Sequence, residues 1–235
     1  MSSPQRLARI AGLHYLVVAV LGGFAHMVRT SVYVPGDAVA TTQNVVANAS
    51  LVRFSLVADL VQTVFFLLVV LTLHRLLRHV GPDLARAMVA FVTVAVAITS
   101  LNLVHQLGAL VVATEPAYAG GFGVEGSDAL VLLLLEVQHH GYLVAQVFFG
   151  LWLFPLGLLA YRSGMFPRTL GVLLMLGTVA YLVDVALQFL APALATAVNP
   201  GIVAVVILSE VAMLAYLLVK GVRSPATTDR TLVTA

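Results

Sequence analysis

Long apolar stretches, broken by short clusters of proline, glycine and charge, divide this 235-residue chain. A helix needs about 20 mostly apolar residues to cross the hydrocarbon core of a bilayer. Six stretches meet that length, at about 8–30, 51–77, 84–113, 128–161, 168–191 and 200–220. The breaks carry turn chemistry: VPGD (34–37), RHVGPD (78–83), TEPAYAGGFGVEGSD (114–128), RSGMFPRT (162–169) and VNPG (198–201). In the first break Asp37 is placed to cap a short helix over 38–50, lying at the membrane surface. The pattern predicts an all-α polytopic membrane protein: a six-helix bundle over residues 1–222 and a flexible cytoplasmic tail, 223–235.

The fourth stretch is too long for one straight span. Residues 128–161 would extend about 51 Å as a helix, against roughly 30 Å of hydrocarbon. Gly150 and Pro155 mark the expected kink. The basic, then apolar, start imitates a secretory signal. Its apolar run continues to about Met27 with no small-x-small cleavage site, so it reads as an uncleaved first span.

Composition agrees with the pattern. Hydrophobic residues make up 61% of the chain and charged ones 9%, where soluble domains carry about 25% charge. The net charge of +2 and scattered basic residues argue against a nucleic-acid partner and leave the lipid bilayer as the main one. With no cysteine, disulfides, thiolate metal sites and cysteine nucleophiles are excluded.

Basic residues near helix ends set orientation, the cytoplasmic side being richer in them. Arg6, Arg9, Arg75, Arg78, Arg86, Arg162, Arg168, Lys220, Arg223 and Arg230 all fall on one side of a six-span arrangement; Arg29 and Arg53 fall on the other. Both termini are therefore expected inside, in a bacterial cytoplasmic membrane.

Polar residues inside the spans give the candidate chemistry, because charge in a membrane is costly and usually faces the bundle interior. His26 lies late in the first span, Asp59 and Gln62 early in the second, and Asn102 and His105 late in the third. Glu136, Gln138, His139 and His140 lie early in the fourth, Asp184 and Gln188 late in the fifth, and Glu210 in the sixth. All fall in the half of the bilayer away from the basic ends, which predicts an outward-facing polar chamber.

On a helix, residues three and four apart are neighbours, so Glu136 adjoins both His139 and His140. Glu136 and His139 form the candidate acid–base pair. Glu136, His139, His140, His105 and Asp59 form a candidate donor set for Fe, Mn or Zn, since Glu-x-x-His supplies two ligands in di-iron bundles. His105 with His139 or His140 is the alternative of two axial ligands to haem b. The plain reading is that these groups pair with one another, or with Arg29 and Arg53, and hold helices together. P-loop, dinucleotide, G-x-S-x-G and H-E-x-x-H signatures do not occur.

LARIAGLHYLVVAVLGGFA (7–25), VPGDA (34–38), FSLVADLV (54–61) and the block from Glu136 to Asp184 with GYL, FFGL and YRSGMFPRTLGVLL occur in this order. Together they resemble the bacterial membrane family catalogued as domain of unknown function 4386, over nearly the whole chain to about Val222. The resemblance implies a six-helix integral membrane protein and carries over no activity or site residue. Three functional readings stay open: a chamber binding a metal or small lipophilic ligand, with acid–base or redox chemistry; a proton-linked transporter or channel; and a non-catalytic scaffold.

Overall fold

A computed structural model describes residues 3–223, which form eight helices. They are α1 (Pro4–Val32), α2 (Ala38–Ala47), α3 (Ala49–Leu77), α4 (Pro82–Thr114), α5 (Pro116–Leu151), α6 (Leu153–Ser163), α7 (Arg168–Leu190) and α8 (Pro192–Val219). Counting α5 and α6 as one broken span, six helical segments are long and apolar enough to cross a membrane.

Local chemistry starts and stops these helices. Ser3 caps α1 by accepting from the Arg6 N–H, and proline follows in the first turn, where a missing N–H costs nothing. Asp37 caps α2 as expected, its Oδ1 accepting from the Ala40 N–H at 2.9 Å. Gly164, at φ 67°, ends α6 in the left-handed conformation that glycine adopts without strain. The long fourth span breaks at Trp152, between α5 and α6, next to Gly150 and ahead of Pro155.

Two expected loops are largely helical. TEPAYAGGFGVEGSD forms the first turns of α5, interrupted at Gly123, whose φ of 74° and ψ of 164° divide the helix. VNPG lies inside α8, which starts at Pro192 and carries Pro200. Pro116 and Pro192 each stand at a helix start, which is the reason these segments helix despite their loop-like composition. The expected tail lies outside the described residues from 224 onward; at its start, the Arg223 N–H donates to the Met165 carbonyl at 2.9 Å.

The spans close a ring in chain order. α1 packs on α3, α3 on α4, α4 on α5, α5 and α6 on α7, α7 on α8, and α8 back on α1. Gln5 clasps the closure: its Nε2 donates to the Lys220 carbonyl at 2.8 Å, and its Oε1 accepts from the Val222 N–H at 2.9 Å. Small residues let helices approach closely, as in membrane bundles generally. A Cβ on Gly157 or on Gly171 would stand 2.6 Å from the other's carbonyl oxygen, so α6 and α7 touch backbone to backbone.

Two apolar cores occupy opposite ends. The larger, at the end carrying the basic residues, is built on Trp152, Phe66, Leu73, Met88, Leu156, Leu174 and Met213. Trp152 meets Phe66 edge-on at 5.2 Å and Tyr15 at 5.9 Å. The smaller, beneath α2, gathers Val28, Val45, Val52, Leu110, Val131 and Leu135. The polar residues sit between and beside these cores.

Candidate functional site

A cavity of about 300 Å³ opens in the half of the bundle away from the basic end. α5 supplies one wall through Leu135, Gln138, His139, Tyr142, Leu143 and Gln146. That three- and four-residue spacing is a single helical face. α1 contributes His26 and Arg29, α4 Gln106, α7 Asp184 and Gln188, and α8 Asn199; Val45 and Val52 add apolar surface from α2 and α3.

Three carboxylates inside the bundle are partnered in three different ways. Asp59 of α3 is ion-paired with Arg29 of α1, whose guanidinium also lies over the Tyr142 ring at 5.2 Å. Glu210 of α8 has no cationic partner. It accepts from the Tyr15 hydroxyl at 2.5 Å and the Tyr181 hydroxyl at 2.6 Å, tying α8 to α1 and α7. Asp184 of α7 accepts from Asn199 Nδ2 at 3.0 Å through one oxygen. Buried charge demands such partners, since an uncompensated ion in a low-dielectric interior costs several kcal/mol.

The opposite face of α5 forms a second, open groove on the outside of the bundle. Glu136, His140 and Gly141 line it, with Asn102 and His105 of α4 and Phe189 of α7. His140 Nδ1 lies 2.8 Å from the Glu136 carbonyl of its own helix, and His105 Nδ1 is 3.2 Å from both oxygens of Asn102. Asn102 Nδ2 donates to the Gln138 carbonyl at 2.7 Å, and its amide fills the space a Cβ on Gly141 would need.

The expected site is therefore divided. His26, His139, Asp184 and Gln188 line the chamber, and Asp59 reaches it through Arg29. Gln62 packs near Gly22 of α1, with its Oε1 unbonded among the described residues. Asn102, His105, Glu136 and His140 belong to the outer groove, and Glu210 to the tyrosine clasp. Glu136 and His139 do not assemble as a pair: His139 stacks on Tyr33 at 6.0 Å, on the chamber side.

The metal and haem donor sets are split in the same way. Among the described residues no three His, Asp or Glu side chains gather closely enough to hold one metal ion. Asp59 is spent on Arg29, and His139 faces away from His105. His105 and His140 do share the groove, which is open rather than an enclosed pocket between helices. The residues present thus do not fit either group as expected.

Three contributors escaped the sequence reading. Tyr142 and Tyr33 look like ordinary aromatics in apolar runs, although Tyr142 sits three residues after His139 and four after Gln138. Asn199 lay inside a segment read as a loop.

Six apolar spans closed in a ring around a one-sided polar chamber define a multi-pass helical membrane protein. The chain belongs to the family described as Domain of unknown function (DUF4386), whose model matches residues 10–221. It is also similar to a protein of Archaeoglobus fulgidus named only as uncharacterized, at 41% identity over 46 residues. That match covers 20% of this chain and 28% of the relative, little more than a quarter of its length. No solved structure matches.

Proposed function

We propose that this protein binds a small amphiphile in its intramembrane chamber, from the outer side of a bacterial cytoplasmic membrane, with both termini inside. The observation that carries the reading is the convergence of Arg29, Gln106, Gln138, Asp184, Gln188 and Asn199 from five helices onto one cavity that also has apolar walls of Val45, Val52, Leu110, Leu135 and Val203. Small-molecule sites have this character: concave, mostly apolar, with a few placed polar groups that orient the ligand. The clustering of basic residues at the opposite end supports the orientation.

A carrier or channel needs a polar route through both halves of the bilayer. The half beneath the chamber is packed with Trp152, Phe66, Leu73, Met88 and Met213, which favours a chamber closed at that end. The division of Glu136 from His139 moves acid–base catalysis by that pair out of the reading.

Photolabelling tests this in lipid nanodiscs. An uncharged aliphatic alcohol bearing a diazirine should label the chamber face of α5, around Leu135 and Leu143, more heavily than its outer face. Val203→Phe, which fills the α8 edge of the cavity, should suppress that labelling. Equal labelling of both α5 faces, unchanged by Val203→Phe, would remove the proposal.

A further inference from the structure

The chamber's polar groups are unequal in what they lack. Arg29 is the strongest cation on its wall, and its charge is already met by Asp59 below and by the Tyr142 ring. Asp184 is 5% exposed, lines the cavity, and has only the neutral Asn199 amide as partner. Its second oxygen, Oδ2, makes no hydrogen bond among the described residues. Asp184 is therefore the carboxylate of the lining that has no counter-charge.

Electrostatics outside the wall point the same way. Tyr181, one turn before Asp184 on α7, donates to Glu210, so a second carboxylate without a cationic partner stands close behind. Arg29 and Asp59 cancel, leaving Asp184 and Glu210 as the negative groups of this region. His26 and His139, the other groups of the lining that can carry positive charge, are exposed side chains, unlike buried Asp184.

We infer that the ligand is a lipophilic ammonium, its charged nitrogen held by Asp184 and its hydrocarbon part lying along Val45, Val52, Leu110 and Leu135. An ammonium supplies a positive charge and up to three N–H donors for the Asp184 carboxylate, and no acceptor of its own. A carboxylate-headed amphiphile would instead face Asp184 unpaired, with Arg29 already engaged. A neutral alcohol supplies one donor and no charge. A hydrogen bond to a charged group is stronger than one between neutral groups, so charge should show as about tenfold in affinity.

This inference rests on the chamber reading, and the experiment separates the two. Octylamine, octanol and octanoate compete with the photoactivatable alcohol for the full chain in neutral-lipid nanodiscs, at neutral pH. Octylamine is expected to displace the label at about tenfold lower concentration than octanol, and octanoate least well. Asp184→Asn keeps the shape and the contact with Asn199; it should abolish the octylamine advantage while octanol still competes and the melting temperature holds. The same variant in the same lipid controls for unequal partitioning of the three compounds.

Equal competition by octylamine and octanol would overturn the ammonium inference and leave the chamber standing. So would an octylamine advantage that survives Asp184→Asn, or octanoate competing best, which would place recognition at Arg29. If Asp184→Asn lowers the melting temperature and weakens all three compounds alike, Asp184 is a helix-joining group and the inference fails. If none competes, the chamber reading fails with it.

Discussion

The two halves of this bundle solve the same packing problem with different materials. At the basic end, helices meet through aromatic edges, aliphatic side chains and backbone contact at Gly157 and Gly171. At the other end a smaller apolar core is joined by directed polar contacts: the Arg29–Asp59 pair, Asn102 on the Gln138 carbonyl, and Gln106 Nε2 donating to Ser55 Oγ at 3.0 Å. Lipid tails are as apolar as leucine, so apolar contacts in a membrane gain from close fit rather than from leaving water. The dry half therefore fills its volume. The polar half holds its helices by directed bonds and can leave about 300 Å³ open between them. Polar contacts that act at specific points permit a cavity where close packing would close it.

Breaking one contact of each kind tests this contrast. Arg29→Met, which leaves Asp59 buried without its partner, should have the largest effect, a loss of about 3–5 kcal/mol. The double variant Arg29→Met with Asp59→Leu should recover most of it, as read by unfolding in mixed micelles. Recovery of nothing would mean that the pair's partners, rather than the pair, hold α1 against α3.

In the dry half, Gly157→Ala forces a methyl against the Gly171 carbonyl and should cost about 1–3 kcal/mol, typical of overpacking. Gly23→Ala in α1, where a Cβ meets nothing within 4 Å, is its control and should cost nothing. Equal melting temperatures for the two alanine variants would show that the α6–α7 contact is looser than the backbone indicates.

The smallest effect belongs to the outer groove. Glu136→Gln should change stability by less than about 0.5 kcal/mol and leave chamber photolabelling unchanged, because that side chain touches neither half's packing. Lost chamber labelling in this variant would join the groove to the chamber and undo the division of α5 into two faces.

Much of the fold was legible in the sequence because membrane spans announce themselves by length and composition. The break near Gly150 and the Asp37 cap could be read from residue type and spacing. The segments 114–128 and 198–201 could not. Proline and glycine signal loops in water, yet a proline at a helix start or one interior proline is tolerated in a membrane helix when neighbours support the backbone. The candidate site was legible as a layer and not as a set of partners. That a carboxylate would meet Arg29 or Arg53 followed from sign and depth; the choice of Arg29 for Asp59, the phenols serving Glu210 and the amide serving Asp184 required knowing which helices are neighbours. Glu136, His139 and His140 lie close on a helical wheel, and which of them face inward depends on how α5 is rotated.

That rotation has a further consequence. α5 runs unbroken from just after Gly123 to Leu151, so its phase is set by one helical segment rather than by each residue in turn. One residue gained or lost between Gln146 and Leu151 would turn everything above the change, the chamber face included, by about 100° relative to the packed end below it. The chamber would then present a different set of functional groups with no substitution among them. The length of α5 between the chamber face and Trp152 therefore governs the chemistry of the cavity as directly as the identities of the residues that line it.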